Sequence, residues 1–304
     1  MSQSTTSNID RFSHLFLSVE SPEDNPGIKR IPFHEQRELL LFFGMDNNPF
    51  IDSVNPSLYF KTVQHEAAFK KLRHSIEDNI SLGLLTAPSG MGKTLITQLI
   101  KEDLPPEKYN VIRLKIEKKL TKTAFLKNIL YELGFSKIYQ GNVLANDLMF
   151  LLNKKVRESY SKKGKRLVML LDEAQFLTLD IWFLMKMISN IEVPEKKLTT
   201  TLLFGEDLLL KRLQQKNFAS ISNRMYIKGK IRPFNMQEMK QYLQYKLDNV
   251  NYKGDLFAPD IYNILFVATD GICREINNLV YNALIEAFYM KKRIIDNDVL
   301  LKCL

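Results

Sequence analysis

The sequence predicts an α/β fold, a parallel sheet sandwiched by helices, followed by a smaller all-α portion at the C-terminus. Three observations predict it. Between about residues 82 and 228, strand-like apolar runs alternate with helical periods, the pattern of a parallel sheet whose crossover helices cover both faces. One of those runs, Leu82–Leu85, enters a Gly/Pro/Ser loop and leaves into a helical pattern. After Pro233 the pattern becomes wholly helical.

Taken in order, residues 1–31 are polar, broken by Ser-Pro and Asn-Pro, and are expected to form a flexible N-terminal arm. A helix near His34–Phe43 follows, then the turn Gly44-Met45-Asp46-Asn47-Asn48-Pro49-Phe50, then a helix from Thr62 to Asn79 with Ala68, Leu72 and Ile76 at helical spacing. Strands are expected near 82–86, 110–116, 166–171, 199–204 and 224–228. The helices between them fall near 93–102, 121–133, 143–160, 180–190 and 207–213. Four more helices near 235–249, 258–268, 273–290 and 295–303 make up the C-terminal portion. The boundary lies close to Gly229–Pro233, giving an α/β unit over 32–230 and a helical unit over 231–304. No internal repeat is visible.

The loop Ala87-Pro88-Ser89-Gly90-Met91-Gly92-Lys93-Thr94, opening a helix at Leu95, is a P-loop in its required strand–loop–helix context. Glycines let the backbone wrap a phosphate, and successive amides with the helix N-terminus supply positive potential. Lys93 is placed to reach the β- and γ-phosphates, and the Thr94 hydroxyl to ligate Mg²⁺. Ala87 stands where the strictest form of the motif has glycine. The matching acidic motif is Leu167-Val168-Met169-Leu170-Leu171-Asp172-Glu173. Five apolar residues describe a strand buried on both faces, with two carboxylates at its C-terminal tip. Asp172 is the second metal-holding residue and Glu173 the carboxylate that polarises water. A protein that only bound nucleotide could dispense with Glu173, so its presence argues for hydrolysis of ATP.

At 45% hydrophobic over 304 residues the chain can bury a large core. No run of eighteen apolar residues occurs, so no membrane span is expected. The polar, acid-containing start does not read as a secretory signal, and a cytoplasmic location follows. The two cysteines, Cys273 and Cys303, lie on segments that look helical and buried, with no metal-ligand spacing. The net charge of +9 is unevenly placed. Lys115, Lys118, Lys119, Lys122 and Lys127 follow one strand, while Lys154, Lys155, Arg157, Lys162, Lys163, Lys165 and Arg166 crowd a helix end and loop. Two readings stand for these clusters: a surface for polyanions, or a solvated lysine-rich face.

An α/β P-loop core with a short helical unit behind it resembles the AAA+ ATPases. Several stretches narrow the resemblance: Phe42-Phe43-Gly44-Met45, Asn48-Pro49-Phe50, His65-Glu66-Ala67, the P-loop, Asp172-Glu173-Ala174-Gln175, Gly205, Asn223-Arg224 and Gly271-Ile272-Cys273-Arg274-Glu275-Ile276-Asn277. Over about residues 35–303 they resemble the ExeA/GspA-type ATPases, relatives of the transposition regulators MuB and TnsC. The resemblance implies an AAA+ P-loop NTPase with a C-terminal lid, binding ATP and Mg²⁺ and assembling with itself into a ring or filament. It places Arg224 as the arginine finger, acting in a neighbouring subunit, and Arg274 as the sensor-2 arginine. His65 is either a packing histidine or an adenine contact. Cys273 replaces the family's usual proline, and Glu206 stands where glutamine is common, an acid that would repel a γ-phosphate unless paired or turned away. The process implied is a DNA-associated, transposition-regulator-like switch on double-stranded DNA. The alternatives are a secretion-apparatus assembly ATPase and a nucleotide-gated adaptor for an unidentified protein partner.

Overall fold

The computed structural model describes residues 32–51, 56–139 and 143–304. The arm expected over residues 1–31 lies outside the described residues. Two helices come first, α1 (Phe33–Phe43) and α2 (Val63–Glu77), followed by β1 (Leu82–Thr86), α3 (Lys93–Asp103), β2 (Tyr109–Lys115), α4 (Lys122–Glu132), α5 (Ala145–Lys163), β3 (Arg166–Asp172) and α6 (Leu179–Ile188). The small strands β4 (Glu192–Val193) and β5 (Lys196–Lys197) precede β6 (Thr199–Gly205), α7 (Leu208–Leu213), α8 (Ala219–Ser222) and β7 (Met225–Lys230). The chain then stays helical through α9 (Met236–Asp248), α10 (Ile261–Thr269), α11 (Cys273–Tyr289) and α12 (Asn297–Leu301).

Local chemistry fixes many of these limits. Thr62, Thr121 and Thr178 each accept a backbone N–H three residues on, opening α2, α4 and α6. Asn235 and Glu238 form a reciprocal capping box at the start of α9. Gly44 and Gly164 close α1 and α5 in left-handed conformations that favour glycine.

Five strands form a parallel sheet in the order β2-β3-β6-β1-β7. Every residue of β3 and β6 is buried, as central parallel strands require. Alternation along the strands divides the core in two. Leu85, Val168, Leu170, Leu202 and Phe204 face one side, where α2, α3 and the C-terminal helices pack. Leu84, Ile112, Leu114, Met169, Leu171 and Leu203 face the other, against α4, α5 and α6. Helix α1 packs on the C-terminal helices, with Phe42 edge-on to Phe288 of α11 at 5.5 Å.

Register decides where the site lies. Thr86 pairs with Gly205, Leu171 with Leu203 and Lys115 with Asp172, so the C-terminal tips of β1, β6 and β3 sit side by side. The loop after β1 therefore opens directly beside the end of β3, in the crevice where open α/β sheets bind ligands.

Two expectations need correction. Arg166, grouped by sequence with a basic surface, is buried: it donates to Ile76 O (2.8 Å), Lys197 O (3.1 Å) and Thr200 Oγ1 (3.1 Å) and stacks on Tyr109. A guanidinium with its donors satisfied by main-chain carbonyls tolerates burial. The cysteines are half-buried rather than buried. Cys273 is the first residue of α11, and Cys303 follows α12. Burial nevertheless pushes the Cys273 thiol up to about 12, which leaves it protonated and unreactive at neutral pH.

Candidate nucleotide site

The loop after β1 turns on two glycines with positive φ, Gly90 (+78°) and Gly92 (+80°), the second being the N-cap of α3. The N-terminal amides of α3 point into the crevice, a ready anion site. Lys93, the first residue of α3, is buried and donates to Ala87 O and Pro88 O, each at 3.0 Å. Burial pushes its ammonium below the ordinary lysine value, countered by the charges of Glu173, Glu206 and Asp172.

Thr94 donates its hydroxyl to Asp172 Oδ2 at 2.7 Å. The other carboxylate oxygen, Oδ1, accepts the Glu173 N–H at 3.0 Å, and Arg113 of β2 lies 3.8 Å from Oδ2. A hydroxyl and a carboxylate in direct contact at a helix N-terminus supply the oxygen donors that Mg²⁺ takes, so the residues present fit that ion. Glu173 sits at φ +58°, outside the region that L side chains prefer, and lines the crevice. That carboxylate accepts a hydrogen bond from Gln175.

The crevice is lined by Ser89, Gly90, Met91, Gly92, Lys93, Thr94, Leu95, Glu173, His65 and Arg274, so the structure brings these predicted residues together. Ala87 and Pro88 contribute through the carbonyls that hold Lys93. Arg274 arrives at the start of α11, its backbone N–H donating to Gly90 O at 3.3 Å. A side chain on Gly90 would meet Arg274 Cβ at 2.7 Å, so this glycine is required twice, by φ and by the approach of α11.

His65 is buried on α2. Its Nε2 faces Met91 O at 3.3 Å, an atom that only accepts, so Nε2 carries the proton and Nδ1 accepts from the Thr62 hydroxyl at 2.6 Å. Burial holds its pKa below the usual histidine value, which keeps this neutral tautomer. His65 is thus a satisfied packing histidine that braces the loop backbone while also lining the crevice.

Arg224 is elsewhere. It precedes β7, at the end of the sheet opposite the crevice, and donates to Asn190 Oδ1 (2.8 Å) and Ser189 Oγ (3.3 Å) beyond α6. Sequence reasoning did not single out Tyr59, Phe60, Phe234, Tyr242, Lys246 and Asn277 as lining residues. They come from the segment before α2, the segment before α9, and α9 and α11 themselves, whose apolar spacing reads simply as core. Arg113 was missed for a similar reason, since an arginine in a half-buried strand carries no signal of what lies across the register.

Comparison with known proteins agrees with this fold. Residues 76–213 match the family model described as AAA domain, the segment that holds the P-loop strand, Asp172 and Glu173. The chain has the AAA+ P-loop NTPase fold. A structure of Cdc6p from Pyrobaculum aerophilum superposes with a TM-score of 0.63 at 16% identity, covering 85% of this chain and 70% of that one. The Drosophila ORC bound to DNA gives 0.62 at 14% identity, covering 91% of this chain and 67% of that one. Identities this low establish the AAA+ fold alone. In sequence, the general secretion pathway protein A of Aeromonas hydrophila is 28% identical over 259 residues, covering 85% of this chain and 46% of the relative. The chain thus spans about half the length of that relative. Among the described residues no helix is long and apolar enough to cross a membrane.

Proposed function

We propose that this chain is a Mg²⁺-dependent AAA+ ATPase that assembles with itself when ATP is bound and works as a switch on duplex DNA. The observation that carries the ATPase reading is the 2.7 Å contact of Thr94 with Asp172 beside Lys93 at the N-terminus of α3. Thr94 and Asp172 would hold Mg²⁺, which would neutralise charge on the β- and γ-phosphates. Lys93 and the loop amides bind the phosphates. Glu173 orients the attacking water, and Arg274, on the C-terminal helical lid, couples nucleotide to the lid. Positioning and charge neutralisation supply nearly all of phosphoryl-transfer catalysis, so these roles suffice.

The position of Arg224, read as an arginine finger, supports self-assembly. The five residues of β1 separate Arg224 from the crevice of its own subunit by about 17 Å at roughly 3.3 Å per residue. An arginine there serves a phosphate only when supplied to a neighbouring copy. Mixing Glu173→Gln with Arg224→Ala subunits tests this, because an Arg224→Ala subunit keeps Glu173 and its Glu173→Gln neighbour supplies Arg224. Turnover should reappear in the mixture. No rescue at any ratio, with monomers in ATP, sinks the assembly reading. Glu173→Gln alone should bind ATP and hydrolyse it only at a small residual rate.

The DNA reading is supported by the loop after β2. Lys119 is exposed there with φ +65°, flanked by exposed Lys118, which lies over the Phe176 ring, and Lys122, paired with Asp180 at 3.8 Å. Binding to duplex should need ATP, ignore sequence, and fall with salt at a slope of about −0.9 in log K per phosphate contact. Replacing Lys118, Lys119 and Lys122 with alanine should flatten that slope in fluorescence anisotropy. The relationship to general secretion pathway protein A favours a second reading, a secretion-apparatus assembly ATPase, and absence of any duplex binding at low salt with ATP would favour it or the nucleotide-gated protein adaptor over the DNA switch.

A further inference from the structure

Gln175 is not used by the assignments above, yet it is held at three points. Its main-chain carbonyl accepts from Arg212 Nη1 at 3.1 Å, and Arg212 is itself stacked on Phe218. Its side-chain oxygen accepts the backbone N–H of Glu206 at 3.2 Å. Its side-chain NH₂ donates to the Glu173 carboxylate. The two side-chain contacts fix the amide's orientation from both ends. The Glu206 N–H can only donate, so the amide oxygen must face it, and an ionised carboxylate can only accept, so the NH₂ must face Glu173. The residue therefore bridges the tips of β3 and β6. Gly205 leaves room for it: a Cβ there would stand 3.0 Å from Gln175 Oε1 and 2.8 Å from Leu209 Cδ2.

We propose that Gln175 is the positioning residue for Glu173, holding the carboxylate at its working angle and tying it to the tip of β6. The proposal rests on the reading of Glu173 as the water-orienting group. Glu173, at φ +58°, opens the 3₁₀ turn Ala174–Phe176, but its side chain makes no capping bond there, so the hydrogen bond from Gln175 selects the direction of its carboxylate. The bond at the other end of the amide means that displacement of the β6 tip, where Glu206 stands, is felt at Glu173. Reach to the reacting water matters because about 1 Å of misplacement costs up to roughly 10²-fold in rate.

The test is a double-mutant cycle on ATP turnover, with ATP affinity and melting temperature measured for each protein. Gln175→Ala, and Gln175→Glu, which keeps the size but loses the donor, should each lower kcat by about 10- to 100-fold and leave the ATP Kd within about twofold. Placed in Glu173→Gln, neither should lower the residual rate further, since a residue that acts through Glu173 has nothing left to act on. An equal fractional loss in both backgrounds means that Gln175 only supports the fold, and overturns the proposal. So does an unchanged kcat in Gln175→Ala, and so does an increase, which makes the residue a restraint. If Glu173→Gln itself turns over at the wild-type rate, the assignment of Glu173 fails and takes this proposal with it, a result visible before the cycle is read.

Discussion

Gly90 and Gly92 share a backbone conformation and differ in surroundings, so alanine at each separates two costs. Both have φ near +80°, where a Cβ is strained by about 1–2 kcal/mol. An alanine at Gly92 would meet nothing within 4 Å. Gly92→Ala should therefore lower the melting temperature of the nucleotide-free protein by about 2–8 °C, at 2–4 °C per kcal/mol. At Gly90 the new methyl would stand 2.7 Å from Arg274 Cβ and 3.1 Å from Ile272 Cγ2. Carbon atoms rest at about 3.5–4.0 Å, so the start of α11 must retreat by roughly 1 Å. The Arg274 N–H, already 3.3 Å from Gly90 O, then loses its acceptor. Overpacking of this kind adds about 1–3 kcal/mol. Gly90→Ala should melt several degrees below Gly92→Ala, and only Gly90→Ala should speed hydrogen exchange at the Arg274 amide. Equal melting temperatures with unchanged exchange at that amide would refute the claim that α11 is seated on the loop through Gly90.

Arg166→Met removes three charge-assisted hydrogen bonds from the interior, so urea unfolding should show a loss of about 2–5 kcal/mol; a loss below about 1 kcal/mol would return the residue to the surface. His65 has a lowered pKa in the folded state, so the unfolded chain binds its proton first as the pH falls below about 6.5. Its contribution is complete above that pH and is lost below it. The difference in unfolding free energy between wild type and His65→Asn should shrink from pH 7.5 to 5.5, and a constant difference would exclude His65 as the titrating group. Thr94→Val should raise the Mg²⁺ needed for half-maximal turnover by about tenfold or more, with no such change in Thr97→Val, whose hydroxyl serves only Thr94 O within α3.

The elements that sequence reads well here are those whose signals are local. The strands β1, β3 and β6 begin and end within about a residue of expectation because each is a short apolar or threonine-rich run bounded by loop residues, and Thr or Asn caps mark the helix starts. The hairpin of β4 and β5 goes unread, since two residues per strand give no period. The site divides in the same way. Lys93, Thr94, Asp172 and Glu173 are legible because the phosphate chemistry demands those types at that spacing. Arg166 is not, because whether a guanidinium is surface or core depends on Ile76 O, ninety positions upstream in the chain, being where it can accept. Gln175 shows the limit most clearly. Its identity is plain in the sequence, two residues after Glu173, but its meaning depends on the tip of β6 thirty-one positions further on. That neighbour exists only because β6 inserts between β1 and β3, a crossover that the strand pattern permits and the sheet order decides. A motif read along the chain names the groups that touch a phosphate; which residue aims them is set by the strands that lie beside one another.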